Sequence, residues 1–186
     1  TAVPSHLVLG NTIHEVTVEA NQTTTYTARN NWVKGKVQLR KIDPDSGKQV
    51  AGATYAIYND KGQELERLVT KATGYVESGY LRFGEYTVRE VIAPSGYILN
   101  KTSYPVTIET NEQKITVTGE DERQTGRLEI TKEDSVTGSA AQGEATLKVA
   151  VYELRAKENI LDPADGSVKY AKDAVVATLT TDANAK

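Results

Sequence analysis

Polar and apolar residues alternate along short stretches of the chain, with the period of two that is typical of half-buried β-strands. In the first clear stretch, Val37 and Leu39 share one face with Lys41, while polar side chains occupy the other face. The same alternation predicts further strands at 53–57, 65–70, 86–92, 104–109 and 114–118. Turn sequences rich in Gly, Pro, Asn and Asp separate these strands. Residues 35–125 are therefore predicted to carry about seven short strands, which suits a β-sandwich.

The composition agrees with an all-β fold. The aromatic residues are ten Tyr, one Trp and one Phe, and a Tyr ring can be buried while its hydroxyl stays in contact with water. No segment has the period of a long amphipathic helix. Residues 153–160 leave two options open, a short helix or an irregular insertion. We therefore predict small β-sheet cores rather than one large core.

Composition also excludes several function classes. The chain has no Cys, so disulfides, thiolate metal sites and Cys nucleophiles are excluded. The net charge is -3 and no stretch is strongly basic, so no nucleic-acid partner is expected. No apolar run reaches the roughly 18 residues of a membrane helix, so no membrane insertion is expected. His6 and His14 have no ligand-like neighbours in the sequence, so we expect neither a metal nor a cofactor.

An internal repeat sets the predicted domain boundaries. The segment 35–41 aligns with 126–132, and in both segments a Lys follows a Gly by six residues, in phase with two apolar residues. The predicted organisation is 1–34 as the C-terminal strands of a preceding module, 35–125 as a complete domain, and 126–186 as the N-terminal part of a following module. Because the chain also has no Met, we expect it to be a piece of a longer or processed chain.

The third copy of the repeat departs from the second at three places. Val149 stands where the second copy has Gly52, and Ala185 stands where it has Gly74. The third copy also contains a longer insertion, at roughly 156–172. The part of the third copy within residues 126–186 is therefore divergent from the second copy.

Three ionisable residues fall on the apolar faces of predicted strands. Lys41 follows Val37 and Leu39, Glu90 lies in phase with Tyr86, Val88 and Ile92, and Asp121 follows Ile115, Val117 and Gly119. An unpaired buried charge costs several kcal/mol, so such groups normally pair or become neutral. One interpretation is a buried ion pair, or strand ends where phase no longer indicates burial. The other interpretation is a reactive cluster.

The reactive interpretation follows from the effect of burial on acids and amines. Burial lowers the pKa of a lysine and raises that of a carboxyl group, and a neutral amine is a nucleophile. Lys41 could then attack the side-chain carbonyl of Asp121 while a protonated Glu90 polarises that carbonyl and shuttles protons. The step releases water and leaves a neutral amide. Proximity makes this otherwise very slow reaction feasible.

The motifs of the complete domain resemble those of the Cna protein B-type domain, the prealbumin-like repeat of Gram-positive surface proteins and pilins. The matching stretches are 41–43, Gly47, 50–55, 81–86, Glu90 and 93–97. Their order and spacing cover 35–125, with partial matches on both flanks. The resemblance implies tandem Ig-like, prealbumin-like β-sandwich modules.

The resemblance also implies a covalent cross-link. In that family a Lys of the first strand forms an intramolecular isopeptide bond to an Asn or Asp of the last strand, and a Glu catalyses the reaction. These roles fall to Lys41, Asp121 and Glu90. Glu120 is out of phase and ranks second as the acceptor. Because Asn is the commoner partner in the family, a domain without the cross-link remains an alternative.

The flanking pieces contain incomplete sets of the same residues. Asn30 lies five residues before Gly35, as Asp121 lies five before Gly126, so Asn30 could be the acceptor of the preceding module. Lys132 could be the nucleophile of the following module. The other members of both sets are missing from the sequence, so we expect no bond at either place.

A stalk or spacer repeat of a Gram-positive cell-surface adhesin or pilin is the predicted function. The bond would form once, so the domain is not expected to be a turnover enzyme. Neighbouring modules of the same chain are the expected partners, with host matrix protein or glycan reached through other domains. The expected location is the cell surface, with anchoring to the cell wall through another part of the protein. The alternatives are a ligand-binding adhesin module and an accessory domain of a large secreted enzyme.

Overall fold

The computed structural model describes residues 3–10, 12–138, 141–142 and 146–186. The chain divides into two compact units, Thr1–Glu122 and Arg123–Lys186. The strands of the first unit are β1 (Leu7–Val8), β2 (Asn31–Trp32), β3 (Lys34–Ile42), β4 (Thr54–Asn59), β5 (Glu64–Val69), β6 (Tyr75–Glu77), β7 (Leu81–Arg82), β8 (Gly84–Ile92), β9 (Ser103–Ile108) and β10 (Gln113–Glu120). Those of the second are β11 (Val151–Arg155), β12 (Ile160–Leu161), β13 (Val168–Tyr170) and β14 (Val175–Thr180).

The first unit contains two four-stranded sheets that face each other as a sandwich. One sheet has the order β10-β3-β6, with β7 also paired to β3, and the other has the order β5-β4-β8-β9. The core lies between them and includes Val37, Leu39, Ile57, Val88 and Ile108, all fully buried. The predicted all-β sandwich is therefore confirmed. The two strands that sequence alternation did not single out, β6 and β7, have only three and two residues, too few to show a period.

The first and last strands of the sandwich run side by side. β3 and β10 pair in parallel from Gly35 with Gln113 to Ile42 with Glu120. Parallel neighbours need a long crossover, and here the rest of the sandwich forms that connection. Residues at the C-terminal ends of both strands consequently meet at one end of the domain.

A buried polar brace closes that end of the sandwich. Asp43 Oδ1 accepts hydrogen bonds from the backbone N–H groups of Asp45 and Ser46, and this forms the turn that ends β3. Tyr97 donates its hydroxyl to Asp43 Oδ2 at 2.6 Å. Both residues are buried, so the turn after β3 is fixed to the loop after β8.

One inward assignment was wrong. Ile92 was predicted on the inward face of its strand with Glu90, but its side chain is 55% exposed. The pairing of β4 with β8 shifts register between Thr54 and Tyr55, because Thr54 faces Ile92 and Tyr55 faces Glu90. The extra residue in β8 forms a bulge, which reverses the side-chain phase beyond it.

Residues 3–34 contribute little regular structure to the first unit. β1 and β2 form a short antiparallel pair, and residues 12–30 contain no strand. Val33 joins the core of the sandwich, and Val8 packs against it. Val16 and Val18 are exposed. The assignment of 1–34 to a preceding module stays a prediction.

The second unit contains two antiparallel pairs, β11 with β14 and β12 with β13. The helix option for 153–160 was wrong, since this segment lies in the end of β11, a connection and the start of β12. The predicted insertion includes the β12–β13 hairpin.

Hydrogen bonds reproduce the internal repeat in detail. Thr70 Oγ1 accepts from Ala53 N and donates to Val50 O, and Thr181 Oγ1 does the same with Ala150 and Leu147. The backbone N–H of Lys41 donates to Gly74, and that of Lys132 donates to Ala185. The second unit therefore begins with the same local structure as the sandwich.

Candidate functional site

Lys41 places a charged side chain inside the sandwich, near the end of β3. It follows Val37 and Leu39 on the inward face of β3, and its side chain is only 1% exposed. Since β3 is paired on both sides, the long lysine side chain extends towards the facing sheet rather than to solvent. This confirms the burial predicted from the period of two.

The ammonium group of Lys41 forms ion pairs with two carboxylates. Its Nζ lies 3.0 Å from Glu90 Oε1 and 3.1 Å from Oε2, and Glu90 belongs to β8 of the facing sheet. Nζ is also in ion-pair contact with Asp121 Oδ1, directly after the end of β10. Both carboxylate side chains are almost completely buried. The structure thus brings together the three residues predicted as a cluster, 80 positions apart in the case of Lys41 and Asp121.

The environment favours the protonated form of Glu90. Burial is the largest cause, and the neighbouring carboxyl group of Asp121 adds to it, so the pKa of Glu90 rises to about 7 in spite of the opposing effect of Lys41. One ammonium group between two carboxylates leaves an excess negative charge, which a buried site tolerates poorly. A proton on Glu90 removes that excess.

The loop after β8 holds Glu90 and the end of β10 in place. The backbone N–H of Asn100 donates to Glu90 Oε2 at 3.2 Å, and its side-chain amide donates to the carbonyl oxygen of Glu120 at 2.8 Å. The N–H of Ile98 donates to the carbonyl oxygen of Glu122 at 2.9 Å. These bonds fix the backbone on both sides of Asp121.

A groove of about 600 Å³ borders the cluster at the end of the sandwich where β3 and β10 finish. Its lining residues are Pro44, Ile98, Leu99, Asn100, Lys101 and the segment 120–122. Asp121 belongs to this lining although its side chain is buried. The buried carboxylate therefore lies next to a groove.

Tyr55 is a fourth polar residue of the site, and it was predicted only as part of an inward strand face. It is 1% exposed and pairs with Glu90 across β4 and β8. Its ring lies 5.7 Å from Lys41 Nζ. The sequence could have indicated this residue, because Tyr55 lies on the inward face of its strand and its hydroxyl group points into the same interior as Glu90.

The remaining predicted residues lie elsewhere. Glu120 is exposed, in agreement with its opposite phase. Asn30 is exposed in the first unit, and Lys132 is half-buried in the second. His6 stacks against Trp32 with ring centroids 5.3 Å apart. Within the described ranges, no group of three potential ligands could hold a metal ion, and no helix is long and apolar enough to cross a membrane.

Residues 35–123 match a family model described as SpaA, a prealbumin-like fold domain. This part of the chain is therefore similar to the prealbumin-like fold domain. The match spans the sandwich from the start of β3 to just beyond Asp121, and it confirms the resemblance inferred from the motifs.

Two bacterial proteins are similar to this chain, and one of them is named as a surface protein. The chain is 31% identical over 72 residues to the trypsin-resistant surface T6 protein of Streptococcus pyogenes serotype M6, which covers 39% of this chain and 13% of that protein. The solved structure of the Bacillus anthracis TIE protein is 25% identical, with a TM-score of 0.80, and covers 100% of this chain and 32% of that one. The chain thus spans about an eighth to a third of these relatives.

Proposed function

We propose that the sandwich is a load-bearing stalk domain of a Gram-positive cell-surface protein, stabilised by an isopeptide bond between Lys41 and Asp121. The observation that carries the proposal is the buried contact of Lys41 with both Glu90 and Asp121, between the first and last strands. The match of residues 35–123 to the prealbumin-like fold domain and the surface location named for the T6 protein support the stalk role.

The bond forms without any outside reagent. Lys41 passes one proton to the Asp121 carboxylate, and its neutral amine attacks the Asp121 Cγ. Glu90 gives its proton to the departing hydroxyl group and takes a proton from the nitrogen. An amide and one water molecule result, and Glu90 ends protonated as it began. Glu90 is the catalytic residue of this single turnover, so the domain is not an enzyme in the ordinary sense.

Burial makes the reaction favourable as well as possible. The ion pair of Lys41 and Asp121 is removed from water, and such a pair recovers its desolvation cost only in part. The amide is neutral, so that cost disappears once the bond has formed. The bond also closes a loop of about 80 residues, which restricts the unfolded chain by about 4–5 kcal/mol in the chain-entropy model.

The wider setting follows from the same proposal. Modules before and after the sandwich are its mechanical partners, and attachment to the cell wall and contact with a host are tasks of other parts of the protein. A stalk domain needs stability under load rather than a binding surface.

Intact-mass measurement tests the bond. We expect the wild-type protein to be one water molecule lighter than its sequence mass, and a proteolytic digest to contain the Lys41 and Asp121 peptides joined. Glu90→Gln keeps the shape of the side chain but cannot exchange a proton, so this variant should have the full sequence mass and a lower unfolding temperature.

Glu120→Gln is the matched control, since it removes a neighbouring exposed carboxylate at the end of β10. It should react like the wild type. A wild-type protein of full mass would leave Lys41 as an ordinary buried ion-pair partner and would overturn the proposed bond.

A further inference from the structure

The hydroxyl group of Tyr55 is buried beside the Lys41 cluster without a hydrogen-bond partner among the described residues. A buried hydroxyl group without a partner costs roughly 1–3 kcal/mol, so such groups in native structures call for an explanation. The aromatic ring by itself would fill the core equally well. The packing of the folded domain before any reaction therefore does not explain why this residue carries a hydroxyl group.

Gly119 provides the space that this hydroxyl group occupies. A methyl group built on Gly119 would overlap the Tyr55 hydroxyl and would lie 3.6 Å from Lys41 Nζ. Gly119 and Asp121 are two residues apart, so their side-chain positions point to the same face. The Tyr55 oxygen thus occupies the position of a Gly119 side chain, close to the Lys41 nitrogen and on the strand face that Asp121 shares.

We propose that Tyr55 donates the hydrogen bond that stabilises the oxyanion formed on Asp121 when Lys41 attacks. This inference rests on the proposed isopeptide bond and adds a residue to its chemistry. Before the attack the hydroxyl group has no partner, and the new negative charge on the Asp121 oxygen supplies one. An interaction made only in the transition state lowers the barrier without stabilising the ground state.

Tyr55 donates a hydrogen bond during the reaction but neither gains nor loses a proton. As the Lys41 nitrogen bonds to Cγ, the carbonyl electron pair moves onto one Asp121 oxygen, and Tyr55 donates a hydrogen bond to that oxygen. The electron pair then re-forms the carbonyl as the other oxygen leaves as water with a proton from Glu90. Burial and the nearby carboxyl groups of Glu90 and Asp121 raise the pKa of Tyr55 above its ordinary value, so the phenol keeps its proton throughout.

The test is Tyr55→Phe, which removes only the hydroxyl group. Newly synthesised full-length chain from cell-free translation is followed by intact mass until the water is lost. We expect the variant to cross-link about a hundredfold more slowly, the usual effect of losing one oxyanion donor. Tyr58→Phe is the matched control, because it removes a hydroxyl group from the same strand outside the cluster, and it should react at the wild-type rate.

Stability separates this role from a structural one. In the Glu90→Gln background, where no bond forms, Tyr55→Phe should leave the unfolding temperature unchanged or raise it, because an unpartnered buried hydroxyl group is lost. A purely structural hydroxyl group predicts the reverse, a lower unfolding temperature and an unaffected rate of cross-linking in folded protein. A wild-type rate for Tyr55→Phe would overturn the inference, whereas absence of the bond in the wild type would overturn the proposed function itself.

Discussion

The environment of Glu90 raises the pKa of its carboxyl group to about neutral pH. Burial raises its pKa first, the Asp121 carboxyl group raises it further, and Lys41 opposes both. A catalyst that both donates and accepts a proton works best when its pKa is close to the working pH. The value of about 7 suits the shuttle proposed for Glu90 and no simple structural need.

This proton affinity predicts the pH dependence of cross-linking. Below its folded-state pKa of about 7, Glu90 is mostly protonated and the rate should be constant. Above that pH the protonated fraction falls about tenfold per pH unit, and the rate should fall with it. The measurement is the initial rate of water loss in newly synthesised chain across the neutral range. A rate that rises steadily through neutral pH would instead mean that loss of a proton from the amine limits the reaction.

At the scale of elements, turns of the same shape are built from different residues in the two units. Gly52 and Gly74 have positive φ angles of 88° and 62° in the sandwich. Their counterparts in the second unit, Val149 and Ala185, have φ angles of 57° and 63°. The repeat therefore keeps the backbone although the glycines are lost, and a β-branched residue in this conformation is strained.

Val149→Gly should consequently stabilise the second unit. The left-handed conformation costs a residue with a Cβ roughly 1–2 kcal/mol, and the greater freedom of Gly in the unfolded chain returns about 0.5–1 kcal/mol of that. We expect a net gain of roughly 0.5–1 kcal/mol, read as slower hydrogen–deuterium exchange in β11. Val151→Gly, within β11 itself, is the control and should speed exchange. Faster exchange in Val149→Gly would show that the turn is not strained.

At the scale of the whole sandwich, the direction of β3 and β10 decides how load passes through it. The chain enters β3 at Lys34 and leaves β10 beyond Glu120, and the two strands are parallel neighbours. Pulling therefore shears them along their length. The proposed bond from Lys41 to Asp121 would carry the load directly from one strand to the other, and the segment between them would not be stretched.

Single-molecule extension measures that protection. When the sandwich unfolds, the bond should prevent the segment of about 80 residues between Lys41 and Asp121 from extending. The measured extension should therefore be shorter by about 280 Å. Glu90→Gln should release this extra length in each unfolding event, while Glu120→Gln should behave like the wild type. Equal lengths in wild type and Glu90→Gln would contradict the proposed load path.

The sequence predicted six of the eight strands of the sandwich and the burial of all three ionisable residues. Period-two alternation placed Lys41 beside Val37 and Leu39, and it separated the inward Asp121 from the outward Glu120. It was wrong at Ile92, because a bulge is an extra residue that alternation cannot show in advance. The divergent residues Val149 and Ala185 were visible in the repeat, but their strain needed the φ angles.

By itself, the sequence determined which side chains point inward, because the face of a strand residue depends only on its local position. Only the tertiary structure decided which inward groups meet. Lys41 meets Glu90 across the sandwich and Asp121 beside it through sheet order and register, which are set by contacts between distant segments. The place of the Tyr55 hydroxyl over Gly119 depends on the same packing. Alternation gives each strand its inward face, and the packing of the two sheets turns separate inward residues into a site.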